Sequence, residues 1–255
     1  MRMHITTIYR TYDGDNGRSR PSYFSKLTAL QSFLLAWRRI PEQNRRLIIC
    51  LNTPRMPPEM ERLYDQYADD VRYIAAPGNT MTYRQSLRWV DEMPRDGLVY
   101  FAEDDYLYLD YCFTEMVAAA NAFPDVDYFT PYDHLDRYTR RDEWRFGRPE
   151  FIRVAGQRHW RVVESTCSTY AARVSTFRGI DGLLHLGLCY TGRIRDRLAW
   201  RLVQGVGPCF WKVPKRYLMG PVPSLATHLD VRFLAPMIDW NALAASTPDD
   251  ARARL

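Results

Sequence analysis

The chain has 255 residues, of which 46% are hydrophobic and 25% charged; this is enough to bury a large core and too apolar for a disordered chain. A formal net charge of +5 is a mild excess that does not by itself make a nucleic-acid binder, and it suits an anionic ligand such as a nucleoside diphosphate. The five cysteines, Cys50, Cys112, Cys167, Cys189 and Cys209, form no CxxC pair, which argues against a zinc site or disulfide scaffold and for reduced thiols in a cytoplasmic protein.

The opening residues lack the long apolar segment of a signal peptide. No window approaches the ~18 uninterrupted apolar residues of a membrane span. A first strand is expected over His4–Tyr9, followed by a polar loop, Thr11–Pro21, with Gly14, Gly17, Arg18 and Arg20. Leu27, Leu30, Leu34 and Trp37 recur at helical spacing in Ser25–Arg39, and Pro41 ends that helix. Leu47–Leu51 reads as a second strand, Pro57-Pro58 as a helix start running to Tyr67, and Val71–Ala75 as a third strand closed by Pro77-Gly78. Thr80–Met93 is the next helix. The turn pair Asp96-Gly97 then launches Leu98–Ala102, an apolar run with no polar face, as a central strand covered on both sides would have. This β-α-β-α-β-α-β order predicts a parallel sheet with right-handed crossovers.

The second half is mixed. A helix is expected over Tyr111–Phe123 and a strand over Val126–Thr130, then a polar, aromatic loop carrying Arg137, Arg140, Arg141, Arg145 and Arg148. Short strands follow at Phe151–Val154, Trp160–Val163 and Ser168–Ala172, and an amphipathic helix at Arg195–Gln204. Pro208–Pro223 is basic, aromatic and proline-rich, and the residues from Ser246 read as a frayed tail. Neither repeats nor a linker interrupt the chain. The expectation is one domain over 1–245, with a nucleotide half at 1–110, an acceptor half at 111–245 and a tail at 246–255.

The central strand stops on three acids, Glu103, Asp104 and Asp105. Consecutive carboxylates repel one another unless a cation or ligand donors sit among them. In an open α/β sheet, ligands bind beyond the carboxyl ends of the strands, so the triplet stands where a metal and a phosphate ligand would. An acidic first turn of a helix accounts for the same three residues.

This order of elements, with EDD after the fourth strand, an Asp-led helix late in the chain and a later His, resembles the GT-A class of glycosyltransferases, most closely the large family-2 type. The resemblance implies an α/β GT-A fold: a Rossmann-like, mostly parallel central sheet with helices on both faces and a smaller mixed acceptor-side sheet. It implies a metal-dependent transfer of a sugar from a nucleotide-sugar donor to an acceptor hydroxyl, with inversion. The family's DxD motif corresponds to Glu103-Asp104-Asp105, with Glu in place of the first Asp. Metal ligation, by Mn²⁺ or Mg²⁺, then falls to Asp105, and nucleotide contact to Glu103 and Asp104. The family often supplies a late His as a further metal ligand, and His228 in PSLATHLD stands there; alone, it reads as an ordinary histidine. A hard divalent cation between carboxylates and phosphate oxygens neutralises the charge that develops on the leaving diphosphate.

Inverting members place an Asp at the head of a late helix, in an ED-type motif followed by a pattern like DLxxRL. RDRLAWRL from Arg195 to Leu202 is similar, with Arg195 where the Glu usually stands, which implies Asp196 as general base. A helix cap is the other reading of Asp196. Glu164, in HWRVVESTCSTY, is the second candidate base, and Trp160 in the same stretch the candidate platform for an acceptor sugar. Nucleotide contacts are expected from Thr7, Tyr9 and Arg10 on the first strand and from Asn52, where the family often has an Asp. Arg84, Lys215 and Arg216 are candidates for the diphosphate.

The rival classes are a sugar-phosphate nucleotidyltransferase, whose usual Gly-rich, Arg-containing loop after the first strand is not matched by TYDGDNGRSRP here; a metal-dependent phosphohydrolase or nuclease; and a non-catalytic nucleotide- or glycan-binding module. The acceptor is open between a glycan, lipid-linked sugar or protein and, given the arginine-rich loop, DNA with hydroxylated bases as some phages make. Oligomeric state is not encoded in any legible feature.

Overall fold

The computed structural model describes residues 3–15, 17–75, 78–139, 150–181, 196–205 and 216–247. Lys215, Arg140, Arg141, Arg145, Arg148, Cys189, Cys209 and the tail beyond Thr247 lie outside the described residues.

Strand β1 (Ile5–Thr11) is buried along its whole length because it is flanked on both sides. It pairs in parallel with β2 (Arg45–Leu51) and with β4 (Leu98–Glu103), while β3 (Asp70–Tyr73) pairs in parallel with β2. Successive side chains alternate between the two faces. Ile5 and Tyr9 join one core with Leu47, Ile49, Tyr100 and Ala102; Ile8 joins the other with Ile48, Cys50, Val99 and Phe101. This explains the unbroken apolar runs read from the sequence.

The first core is closed by α1 (Lys26–Trp37), which starts where the Ser25 hydroxyl accepts the Thr28 amide and buries Leu30, Phe33, Leu34 and Trp37. Full burial of each such side chain stabilises by roughly 1.5–3 kcal/mol. Helix α2 (Pro58–Tyr67) uses its proline in the first turn, where the missing N–H costs nothing. The second core is closed by α3 (Gly78–Arg88), through Tyr83 and Leu87.

After β4 come a short strand β5 (Tyr106–Tyr108), α4 (Cys112–Ala122), β6 (Tyr128–Phe129), a hairpin of β7 (Ile152–Ala155) and β8 (Arg158–Val162), and β9 (Tyr170–Arg173). A helix at Asp196–Val203 precedes β10 (Leu218–Val222) and β11 (Ala226–His228). The nine-stranded sheet runs β3-β2-β1-β4-β9-β6-β10-β8-β7, and β5 pairs with β11 in a second sheet. The parallel half meets the mixed half at β9, which is antiparallel to both β4 and β6. This is the Rossmann-like GT-A architecture expected from the sequence. Strands β5, β10 and β11 were not expected. No described helix is long and apolar enough to cross a membrane.

Gly97 enters β4 at a close approach: a Cβ there would lie 2.9 Å from the His4 carbonyl oxygen, which accepts the Leu98 amide. Gly97→Ala is therefore expected to destabilise the fold by about 1–3 kcal/mol, seen as a lower urea midpoint at unchanged slope.

Candidate functional site

The register of the sheet builds the site. Pairing of β1 with β4 sets Arg10 opposite Glu103 at the carboxyl end of both strands. The Arg10 guanidinium donates to Glu103 Oε1 at 2.8 Å and to Asn79 Oδ1 at 2.7 Å, and it lies over the Tyr83 ring. Asp104 Oδ2 accepts from Lys26 Nζ at 2.7 Å, from the Thr11 hydroxyl at 2.8 Å and from the Tyr12 amide at 3.3 Å. Asp105 Oδ2 accepts from Arg20 Nη2 at 3.1 Å and stands 3.1 Å from His228 Nε2. Each acid thus has a cation of its own: Arg10 from β1, Arg20 from the segment between β1 and α1, and Lys26 from the first turn of α1.

His228 arrives through the second sheet. Antiparallel pairing sets His228 opposite Tyr106, and the Leu229 amide continues the ladder to the Asp105 carbonyl at 2.8 Å. The imidazole stacks on the Tyr106 ring at 5.2 Å, which fixes the plane in which Nε2 faces Asp105.

The three carboxyls respond differently to burial. Desolvation raises the Glu103 pKa, with Arg10 opposing it, and raises that of Asp104, with Lys26 opposing it. At Asp105 burial also pushes upward, but the hydrogen bond and charge of His228, together with Arg20, outweigh it and hold the group down to about 2. Asp105 is thus the acid held most firmly as a carboxylate.

Above the acids lies a cavity of about 380 Å³ walled by Arg10, Thr11, Tyr12, Asn52, Asn79 and Thr82, with Glu103, Asp104 and Asp105 on the same lining. Its size and its few convergent polar groups suit a small organic ligand. Among the described residues no group of three or more His, Cys, Asp and Glu side chains could hold a metal. A hard cation carried by a diphosphate takes most of its ligands from phosphate and water and only one or two from protein. The Asp105 carboxylate and the His228 imidazole supply that number, so the donor set fits a nucleotide-borne Mn²⁺ or Mg²⁺.

The other expected residues are distributed unevenly. Arg10 and Asn52 line the cavity. Thr7 and Tyr9 are fully buried earlier on β1, and the Tyr9 ring packs on Phe33 at 4.8 Å, so neither is among the lining residues. Arg84 is half-buried on α3, also away from the lining. Thr11, Tyr12, Arg20, Lys26, Asn79 and Thr82 were not singled out from the sequence; only their placement in polar segments after apolar runs could have drawn attention to them.

In the second half of the chain, Asp196 is the first residue of its helix. Glu164 is buried and both its oxygens are engaged, Oε1 by Arg201 at 2.9 Å and Oε2 by Arg197 at 3.2 Å. Both arginines come from that same helix, which is fastened further by Trp200 Nε1 donating to the Thr166 carbonyl at 2.7 Å and by Gln204 Nε2 to the Glu164 carbonyl at 2.7 Å. Trp160 is 0% exposed and meets Phe129 edge-on at 6.0 Å, so its ring fills the core and offers no face to an acceptor sugar.

Neither a family model nor a curated protein matches the chain. Solved structures of S. aureus TarS do. TarS 1–349 in complex with UDP-GlcNAc is similar with a TM-score of 0.50 at 11% identity, covering 86% of this chain and 58% of that one. TarS 1–349 gives 0.47 at 12% identity, with 70% and 49% covered. A further TarS structure gives 0.43 at 12% identity, with 69% and 29% covered. The chain therefore spans between 29% and 58% of the length of these structures, and the likeness is one of fold.

Two outcomes follow from the acceptor-side packing. Trp160→Ala is expected to cost about 3–5 kcal/mol of stability, read as a lowered melting temperature, with ligand affinity at the acid site unchanged in the folded fraction. Glu164→Gln leaves two arginines facing a neutral amide and is expected to cost about 1–3 kcal/mol; unchanged stability with lost activity would instead give Glu164 a chemical role.

Proposed function

We propose that the chain is a glycosyltransferase that moves a sugar from a nucleotide-sugar donor to an acceptor hydroxyl with inversion, assisted by Mn²⁺ or Mg²⁺. The observation that carries this reading is the cavity at the carboxyl ends of β1, β2 and β4, with the three acids on its lining and His228 Nε2 3.1 Å from Asp105 Oδ2. The GT-A architecture supports it, as does the likeness in fold to a protein crystallised with the nucleotide sugar UDP-GlcNAc.

In this reading the nucleotide enters between the ends of β1, β2 and α3. Asn52 and Asn79 offer amide donors and acceptors to the base, and Glu103 faces the ribose. The basic side chains around the acids orient the diphosphate as charged donors. Asp105 and His228 hold the cation, which when bound supplies charge neutralisation at the leaving diphosphate. Asp196 takes the proton from the acceptor hydroxyl as it attacks the anomeric carbon from the side opposite the leaving group. Glu164 holds the Asp196 helix against the sheet through Arg197 and Arg201. The acceptor is a glycan or, on the minority reading, a hydroxylated base in DNA.

A thermal-shift screen of UDP-, GDP-, dTDP- and CMP-sugars with Mn²⁺ tests donor binding; a ligand at 100 times its Kd stabilises by about 2.7 kcal/mol. Asp105→Asn or excess chelator is expected to remove most transfer activity. Full activity in chelator rules out the role of the cation, and binding with neither transfer nor hydrolysis identifies a binding module.

Asp196→Asn is expected to lower kcat by about 10²–10⁴-fold with little change in donor affinity. Product NMR should show an inverted anomeric centre, and a retained configuration removes the base mechanism.

A further inference from the structure

The three ion pairs of the acid triplet are not equivalent. Lys26 and Arg10 each have a further anchor away from the Asp105–His228 pair: Lys26 Nζ is also held by the Tyr12 carbonyl at 2.6 Å, and Arg10 also by Asn79. Arg20 instead shares a single oxygen, Asp105 Oδ2, with His228 Nε2, each at 3.1 Å. Its guanidinium is positioned from three directions. Asp15 Oδ1 accepts from Nε at 3.2 Å and from Nη2 at 2.9 Å, the Leu229 carbonyl accepts from Nη1 at 2.7 Å, and the plane lies over the Phe24 ring at 4.4 Å. Leu229 is the residue next to His228, so the same guanidinium touches both sides of the Asp105–His228 pair.

A cation ligated by Asp105 Oδ2 and His228 Nε2 needs the lone pairs toward which Arg20 now points. Two positive charges cannot share one carboxylate oxygen at contact distance without a large repulsive cost. Arg10, Lys26 and Arg20 offset all but one of the four carboxylates Glu103, Asp104, Asp105 and Asp15, so a divalent ion arriving alone meets little net attraction there. An incoming diphosphate changes both conditions, because it brings negative charge and a planar match for the arginine fork.

We propose that Arg20 is the resident counter-ion of the Asp105–His228 pair, which a divalent cation must displace, so that the metal binds weakly to the free protein and firmly together with a nucleoside diphosphate that takes over the guanidinium. This rests on the assignment of Asp105 and His228 as the cation's protein ligands. Arg20 is then a positioning residue that makes metal and nucleotide binding mutually dependent, and linkage requires the dependence to run equally in both directions.

The test is a titration of the free protein with Mn²⁺ alone, following the electron paramagnetic resonance signal of unbound Mn²⁺. Arg20→Met keeps the stem over Phe24 and removes the charge; it is expected to bind Mn²⁺ at least ~10-fold more tightly than wild type. Arg20→Lys keeps the charge and is expected to stay within ~3-fold of wild type. Adding Asp105→Asn to Arg20→Met should abolish the gain. Should circular dichroism show Arg20→Met to be unfolded, Arg20→Gln, which retains a donor for the Leu229 carbonyl, makes the same comparison. Equal Mn²⁺ affinity in wild type and in the neutral variant, lost in both on Asp105→Asn, overturns the counter-ion role and leaves the metal site standing. Absence of Asp105-dependent Mn²⁺ binding in every variant, with or without UDP and GDP, overturns the metal site and the counter-ion role together.

Discussion

Three adjacent carboxylates at the end of a fully buried strand are the constraint on which this structure turns. Charges so placed must be matched or protonated. Here each is matched, and the matching fixes the path of the chain after β1. Arg10 is brought to Glu103 by strand register, Lys26 to Asp104 from the first turn of α1, and Arg20 to Asp105 from the intervening loop. The loop from Tyr12 to Ser25 therefore has its course set by electrostatics at both ends, although its own residues are polar and rich in glycine. The same loop reaches across to the residues just after β11, where the Ser19 carbonyl accepts the Val231 amide at 2.8 Å and Arg18 approaches Asp230 at 3.6 Å.

The helix headed by Asp196 depends on a different buried charge. Glu164 follows β8 and, among the described residues, is paired with arginines one helical turn apart, Arg197 and Arg201. Breaking a buried pair leaves an uncompensated charge, and that cost keeps the helix in one orientation. The residue that heads this helix is Asp196. A strand-side carboxylate thus sets the direction of a helix whose first turn carries the proposed base, and Trp200 and Gln204 hold the other end down.

The parallel half of the fold was legible because β1, β2 and β4 are apolar runs punctuated by Pro, Gly and Asn, and α1 has an unambiguous stripe. Glu103-Asp104-Asp105 was legible because no core strand ends on three acids without a reason. Three strands escaped. β5 and β11 are three residues each, too short for any periodicity, and exist only because they find each other across more than a hundred residues. β10 contains Gly220 and Pro221, which normally argue against a central strand. Trp160 was readable differently: HWRV alternates, with Trp160 and Val162 the buried set, His159 exposed and Arg161 half-buried against Asp133. Arg197 and Arg201 sit four apart on one face, a pattern that can clasp a buried acid. The pairing of Arg20 and Lys26 with Asp105 and Asp104 left no trace in the sequence, since loop course decides it.

The segment from β10 to β11 joins the two sheets with almost no slack. β10 ends at Val222 inside the large sheet, and β11 begins at Ala226 in the small one. Ser224 between them is clamped: its hydroxyl donates to the Ala226 carbonyl at 2.6 Å and accepts the Asp133 amide at 2.9 Å. A taut, cross-braced connector behaves as a tie rod. His228 is at its far end, so the imidazole is mechanically slaved to the strand that runs between β6 and β8. The three-residue span from Val222 to Ala226 leaves little room for His228 to shift independently of β10.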